Sequence, residues 1–474
     1  MRSRRRLTRF SLGMLVALVA LGGAVLAYRR GSVPAEKGWS TGAAAAATDP
    51  TAAAELDGTG LDGTGLDGTA AGAGGAGATA LEERVKELER SIEAGDDDVA
   101  SRTELAALHL ESARRTGDLA GYERAAFVID EALASSPDDP AALAVLATVR
   151  YGLHQFAQAA EITEQVLERS PGERQAIAVL GDARLELGDL TEAGERYEDL
   201  AGLAGPVPEV LVRQARLAWL QGDVEGALDQ ADRALTTSFL VGADGPTTAY
   251  YESQLATYRL EAGDAGAAVA MAEAAVTSDP ASPVAQGVLG RALAATGRLD
   301  EAIAAYEAAV AIVPSPKQVA ALGDLYAVTG QPARAEEQYE TVLLIADLAS
   351  EGGAVVYNRD LARFLADHDR QLDRAVELAR GELAVRPDVY GYDTLAWALH
   401  ASGDTEGAVE AIAPALATGL VDAQVLYHAG MIHAAAGDDE AAVAFLQQAL
   451  ALNPNFDPLH APLAAERLAA LEDV

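Results

Sequence analysis

The sequence predicts an all-α solenoid of antiparallel helix pairs, tied at its N-terminus to a membrane or export segment. Three observations point there. A Gly-Asp pair followed by a small residue recurs about every 34 residues through most of the 474-residue chain. Alanine is abundant while aromatic residues make up only 5%, which suits closely packed helices better than a β-sandwich. Residues 1–30 join a cluster of arginines to an apolar stretch.

Charge and composition exclude several function classes. The chain holds 35 Lys+Arg against 72 Asp+Glu, a formal net charge of −37. Nucleic-acid binding needs clustered cations, so that partner class is not expected. With no cysteine there is no disulfide, thiolate metal site or thiol nucleophile. Lysine occurs only at Lys37, Lys86 and Lys317, and residues 1–30 contain seven arginines and no acid. The remainder is therefore more acidic than the whole. Such a body stays soluble by self-repulsion, and a saline habitat or a GC-rich genome would each produce it.

At the N-terminus, residues 10–28 are apolar, a 19-residue run. At ~1.5 Å per residue that is roughly 28 Å of helix, close to the ~30 Å hydrocarbon core of a bilayer. Five arginines precede it, and Arg29-Arg30 follows at once. The positive-inside rule puts the N-terminus in the cytoplasm and the body outside. Residues 1–30 read either as a permanent single-span anchor or as a cleaved signal peptide, with Val25-Leu26-Ala27 as the cut site. The length of the span and the flanking Arg29-Arg30 favour the anchor.

Residues 31–79 read as a disordered tether of Gly, Ala, Thr and Asp. Leu56-Asp57-Gly58-Thr59-Gly60 recurs almost verbatim from Leu61 and again from Leu66, and a Gly-rich five-residue period cannot bury a core. The nonapeptide spacing of calcium-binding β-rolls is absent. Over 80–98, Leu81, Val85, Leu88 and Ile92 form one apolar helix stripe. That stripe is too short for a coiled coil, so it is expected to lie against the first repeat.

About ten units are expected over 99–456. The turn slot holds Gly117-Asp118, Gly188-Asp189, Gly222-Asp223, Gly263-Asp264, Gly297-Arg298, Gly330-Gln331, Gly403-Asp404 and Gly437-Asp438, with His154 and Arg370 where Gly is missing. Spacings 188→222, 263→297, 297→330 and 403→437 are 34, 34, 33 and 34, while 222→263 is 41. A small residue follows at Ala159, Ala193, Ala227, Ala268, Ala302, Ala335, Ala375, Ala408 and Ala442. Proline closes many units, as at Pro137, Pro171, Pro280, Pro314, Pro387 and Pro454. Gly in the left-handed conformation ends a helix, and the following Asp caps the next one. The small residues let two helices approach closely, and proline stops the second. No unit can bury its face alone, so stability should come from stacking between neighbours. Residues 457–474 are expected to form a helix that caps the last unit.

The 34-residue period, Leu-Gly, the mid-unit Gly-Asp turn, the later Ala and the closing Pro resemble the tetratricopeptide repeat; residues 283–314 match almost slot for slot. The resemblance implies a right-handed superhelix that binds a protein or peptide partner in a concave groove, lined by slots 2, 5, 9, 12 and 13 of each first helix. Counting slots places Tyr390, Asp393, Trp397 and His400 in that groove, with Tyr357, Asp360 and Phe364 one unit earlier and Tyr427 one unit later. Slot 5 lacks the Lys or Asn of the carboxylate clamp that binds chaperone tails. The implied ligand is an extended peptide with apolar and basic residues, for which Trp397 is the expected anchor. The competing reading of this stripe is packing between helices.

No hydrolase elbow, Walker loop, dinucleotide fingerprint or His-Glu-x-x-His is present, so neither catalysis nor a cofactor is expected. His400, His428, His433 and His460 fall late in the chain and give the alternative reading, a metal-handling or transport accessory. His428 and His433 are five apart, about 140° around a helix, whereas zinc pairs on one helix prefer four. The leading expectation is a membrane-tethered, extracytoplasmic scaffold for envelope complex assembly, single-pass or secreted if the signal is cleaved.

Overall fold

The structure is a computed structural model that describes residues 75–95, 98–116, 119–352 and 357–473. The predicted span 10–28 and the tether before Gly75 lie outside them. Among the described residues there are 22 helices and no strand. No described helix is long and apolar enough to cross a membrane.

Helix α1 (Gly75–Ala94) begins five residues before the expected 80. It packs on the first pair, burying Leu88 and pairing Arg84 with Glu104 at 2.6 Å. Ten antiparallel pairs follow. They are α2 (Val99–Thr116) with α3 (Leu119–Ser135), α4 (Pro140–Gly152) with α5 (Phe156–Arg169), and α6 (Arg174–Glu186) with α7 (Leu190–Ala204). Next come α8 (Pro208–Leu220) with α9 (Val224–Val241), α10 (Gly245–Glu261) with α11 (Ala265–Ser278), and α12 (Pro283–Ala295) with α13 (Leu299–Ile312). The last four are α14 (Pro316–Val328) with α15 (Pro332–Gly352), α16 (Asn358–Asp367) with α17 (Leu372–Val385), α18 (Val389–Ser402) with α19 (Thr405–Ala417), and α20 (Ala423–Ala436) with α21 (Asp439–Leu452). Helix α22 (His460–Glu472) lies against α21 and buries Ala461 and Ala464.

The local chemistry follows the sequence. Asp189, Asp223, Asp264, Asp404 and Asp438 each accept a hydrogen bond from a backbone N–H three residues on, which caps the second helix. Prolines also open first helices, at Pro140, Pro208, Pro283 and Pro316, where the missing N–H is not needed. The alanine five residues after the turn is fully buried between paired helices at Ala159, Ala193, Ala227, Ala268, Ala302, Ala408 and Ala442. Eight residues into several first helices a glycine makes room for the tyrosine sixteen residues on. A Cβ on Gly181, Gly290 or Gly323 would lie 2.6, 2.6 or 2.5 Å from the ring of Tyr197, Tyr306 or Tyr339.

The turn slot needs one correction. His154 does adopt the left-handed conformation, with φ 56°, but Arg370 does not; Asp369 does, with φ 51°. Arg370 N–H bonds to the carbonyl of Leu365, as Asp404 N–H bonds to that of Leu399, so Arg370 holds the position of the capping Asp. Ala375 then falls six residues after the turn rather than five. Gln371, also left-handed at φ 43°, absorbs the extra residue.

A second finding departs from the expected neighbour-only stacking. The superhelix closes on itself. The turn of the third pair meets the loop between the eighth and ninth pairs, where a Cβ on Gly188 would lie 2.6 Å from the Pro387 carbonyl oxygen. One pair further along on each side, a Cβ on Gly222 would lie 2.1 Å from the Gly419 oxygen, and one on Gly263 2.1 Å from that of Leu452. Asn453 Nδ2 donates to the Leu260 carbonyl at 3.1 Å. A single apolar core contains Leu185, Leu211, Trp219 and Tyr258 together with Val389, Tyr390, Leu420 and Val425.

Two glycines isolate the effect of this approach. Gly222 and Gly297 have φ of 79° and 75°, but a Cβ on Gly297 meets nothing within 4 Å. Gly297→Ala should cost about 1–2 kcal/mol, the strain of an L-residue in the left-handed region. Gly222→Ala should cost at least twice as much, because Gly419 must also move. Urea denaturation of both variants checks this, and equal losses would contradict the contact.

Candidate functional site

The inner face of the superhelix is the candidate site, because the first helices turn their slot residues toward it. Those residues are used in bonds between successive units. The Arg216 guanidinium donates to Glu186 at 2.7 Å, and Trp397 Nε1 donates to Asp367 Oδ1 at 2.7 Å. Arg291 pairs with Glu261 in the same way. In each case the partners stand 30 residues apart, slot 13 of one unit with slot 9 of the next. Tyr151 OH and Glu186, 3.2 Å apart, and His428 Nδ1 and Asp393, 2.8 Å apart, extend these links.

The predicted groove residues therefore lie inside the fold. Asp393, Tyr427, Phe364, Trp397 and Tyr390 are all buried, Trp397 at 7% exposure. Tyr357, Asp360 and His400 are half-buried. Trp397 stacks on His428 with centroids 4.2 Å apart and on His400 at 5.1 Å. Tyr427 stacks on His460 of α22 at 5.1 Å and contacts Phe456 at 5.6 Å. The side-chain amide of Gln424 reaches both His428 Nε2 and His460 Nδ1 at 3.0 Å. Burial lowers the pKa of His428 against the pull of Asp393. It also lowers that of His400, with His428 adding to the effect. The expected aromatic floor for a peptide is a packed joint between the last two units and α22.

The shifted turn also changes the register of the eighth unit. Counted from Asp369, slots 5 and 9 hold Arg359 and Arg363, not Asp360 and Phe364. Arg359 donates to Asp388 at 2.6 and 3.2 Å in a buried pair. Phe364 packs against Tyr339 and His368, with centroids 5.6 and 4.6 Å away. The 34-residue step back from Gly403 would have located the true slot.

Sequence reasoning did not find the junction around Glu186. This carboxylate is fully buried and takes Arg216 from the next unit and Arg386 from across the closure, 200 residues away. Burial alone would raise its pKa, but the charges of Arg216 and Arg386 outweigh that and hold it well below the carboxylate range. Burial pushes Glu382 up despite Arg359 and Arg386. His154, stacked on Phe156 at 5.2 Å, is drawn down to about 3 by burial and by Arg386, against the pull of Glu186.

Three of the late histidines, His400, His428 and His460, gather around the Trp397 ring, with centroids 5.1, 4.2 and 6.0 Å away. His433 pairs with Asp438 at 3.1 Å, away from His428 and His460. Among the described residues no group of three or more His, Asp or Glu side chains is placed to hold a metal ion.

The geometry defines a class, a solenoid of stacked helix pairs in which each unit is bonded to the next. A family model, tetratricopeptide repeat, matches residues 144–205, 178–239, 253–315 and 394–455. The chain carries tetratricopeptide repeats over these stretches. No curated protein matches it. Among solved structures it is similar to a chain in the crystal structure of the APC/C hetero-tetramer Cut9-Hcn1. The two are 14% identical, with 84% of this chain and 94% of that chain covered at a TM-score of 0.32.

Trp397→Phe, which removes the bond to Asp367, should lower stability by about 1.5–3 kcal/mol, and Trp397→Ala by about 3–5 kcal/mol. A ring standing free in a groove would leave the denaturation midpoint unmoved in both. For His154, the folded pKa of about 3 lies below the ordinary ~6.5, so the unfolded chain takes up the proton first and folding weakens as pH falls from ~6.5 toward 3. At pH 4.5 this should amount to about 2–3 kcal/mol relative to neutral pH. Titrating the stability of wild type and His154→Asn should show that part of the acid sensitivity missing in the variant.

Proposed function

We propose that the chain is a membrane-tethered, extracytoplasmic scaffold that holds partner proteins for envelope complex assembly. One observation carries the scaffold reading: polar side chains of the inner face join successive units, as in Glu186 with Arg216 and Asp367 with Trp397. What the body presents to solvent is a long, acidic helical surface suited to holding a partner. The repeat family supports this, since such repeats generally bind proteins. The whole chain carries a net charge of −37 and its acidic residues all lie after residue 30, so the body favours a partner with a basic face, whose binding weakens with salt.

The tether rests on sequence alone, on seven arginines around an apolar 19-residue run and a Gly-rich stretch behind it. The metal-handling alternative finds no support in the placement of His400, His428, His433 and His460.

Protease added to intact spheroplasts carrying the full chain should release a fragment that begins within 31–79, since a Gly-rich tether is cut before packed helices. A body protected until the cells are lysed would overturn the orientation. Chemical crosslinking of the native membrane protein should trap a protein partner in a defined ratio, and the yield should fall as salt is raised from 50 to about 500 mM. Recovery of the chain uncrosslinked at every salt concentration would contradict the scaffold reading.

A further inference from the structure

Closure of the superhelix covers the face that an open solenoid of this kind would present. The two sides of the seam are joined covalently only through the intervening units. The turns at Gly188, Gly222 and Gly263 lie on one side, with the carbonyls of Pro387, Gly419 and Leu452 on the other. Between them, a Cβ on Gly297 or Gly330 would meet nothing within 4 Å, so the turns of the sixth and seventh pairs make no such contact.

The seam also gathers buried polar atoms that have no hydrogen-bond partner in the protein. They include both ring nitrogens of His154, both carboxylate oxygens of Glu382 and Nη2 of Arg386. His154 and Glu382 flank the Glu186–Arg386 pair, to which Arg386 itself belongs. Glu382 Oε1 lies 3.5 Å from Arg359 Nη2 and 3.8 Å from Arg386 Nη1, so charge attraction holds it without a hydrogen bond. An unsatisfied buried polar group costs free energy that water returns when it enters. Removing one partner from a buried ion pair is worse still, because the other charge is left uncompensated. The closed seam is thus held by apolar contact and one charge cluster, and opposed by the groups it keeps dry.

We propose that this seam is a latch. The solenoid opens along the line between the turns at Gly188, Gly222 and Gly263 and the loops at Pro387, Gly419 and Leu452, pivoting on the sixth and seventh pairs. Arg386 on Glu186 holds it shut. Opening separates the inner faces of the third to fifth units from those of the eighth to tenth. The latch goes beyond the scaffold reading, and its test uses no partner.

The absence of cysteine makes a distance measurement direct. Spin labels on Glu225→Cys and Ala417→Cys, both exposed and flanking the contact of Gly222 with Gly419, report the seam. Labels on Thr191→Cys and Glu225→Cys report two adjacent units as a control. In the otherwise unaltered full chain, double electron–electron resonance should give one narrow seam distance. Arg386→Ser and Gly222→Val should each add a population longer by more than about 10 Å, the width of one helix. The control distance and the far-UV circular dichroism should stay unchanged. The proposal fails if the variants keep their helix content and the seam distance does not move. It also fails if both lose helix together with the seam, because closure would then be inseparable from the fold.

Discussion

The structure depends on a buried carboxylate shared by two guanidiniums. Glu186 sits where the chain, after about six repeat units, returns to itself. Arg216 reaches it from the next unit, as the local ladder requires, while Arg386 reaches it from the far side of the closure. A carboxylate taken wholly out of water is unfavourable unless its charge is matched, and here two guanidiniums share it, while Glu382 and Asp388 lie beside Arg386. The same residue thus belongs to the local repeat and to the long-range seam, and couples the two.

That coupling changes what kind of solenoid this is. In a quasi-one-dimensional array each repeat contacts only its neighbours, and stability is a sum of nearest-neighbour contributions. Here the third to fifth units also rest on the loops following the eighth to tenth, with backbone carbonyls against glycine turns. Side chains that would line an open groove instead complete the interior. Trp397 illustrates the change: its indole N–H satisfies Asp367, its ring face covers His428, and α22 closes over its neighbour Tyr427. A partner that used this face would first have to displace these contacts.

Much of the fold was legible in the sequence because its determinants are local. A glycine that must be left-handed, an aspartate three residues before an unsatisfied N–H, and an alanine where two helices cross each act over a few residues and recur every 34. His154 was legible in the same way, as a residue forced into the glycine slot. The register of the eighth unit was misread because one inserted residue, absorbed at Gln371, separates the turn from its alanine. Counting from Arg370 then placed Asp360 and Phe364 one position off Arg359 and Arg363. The closure itself was not legible. Its partners are 200 residues apart in the sequence, and the positions that permit it, Gly188, Gly222 and Gly263, already had a sufficient local reason to be glycine. Sequence spacing identified which side chains share a face, but not that the face is sealed.

A double-mutant cycle on Glu186 and Arg386 tests the closure most directly. The two residues touch only if the superhelix returns on itself, so Glu186→Ala, Arg386→Ala and the double variant compare one contact across 200 residues. The stabilities from urea denaturation should be non-additive, with a coupling energy of about 1–3 kcal/mol, as for residues in one ion-pair network. Additive losses, within the ~0.5 kcal/mol typical of distant independent sites, would mean that the seam is not formed in solution and that the inner face stands open.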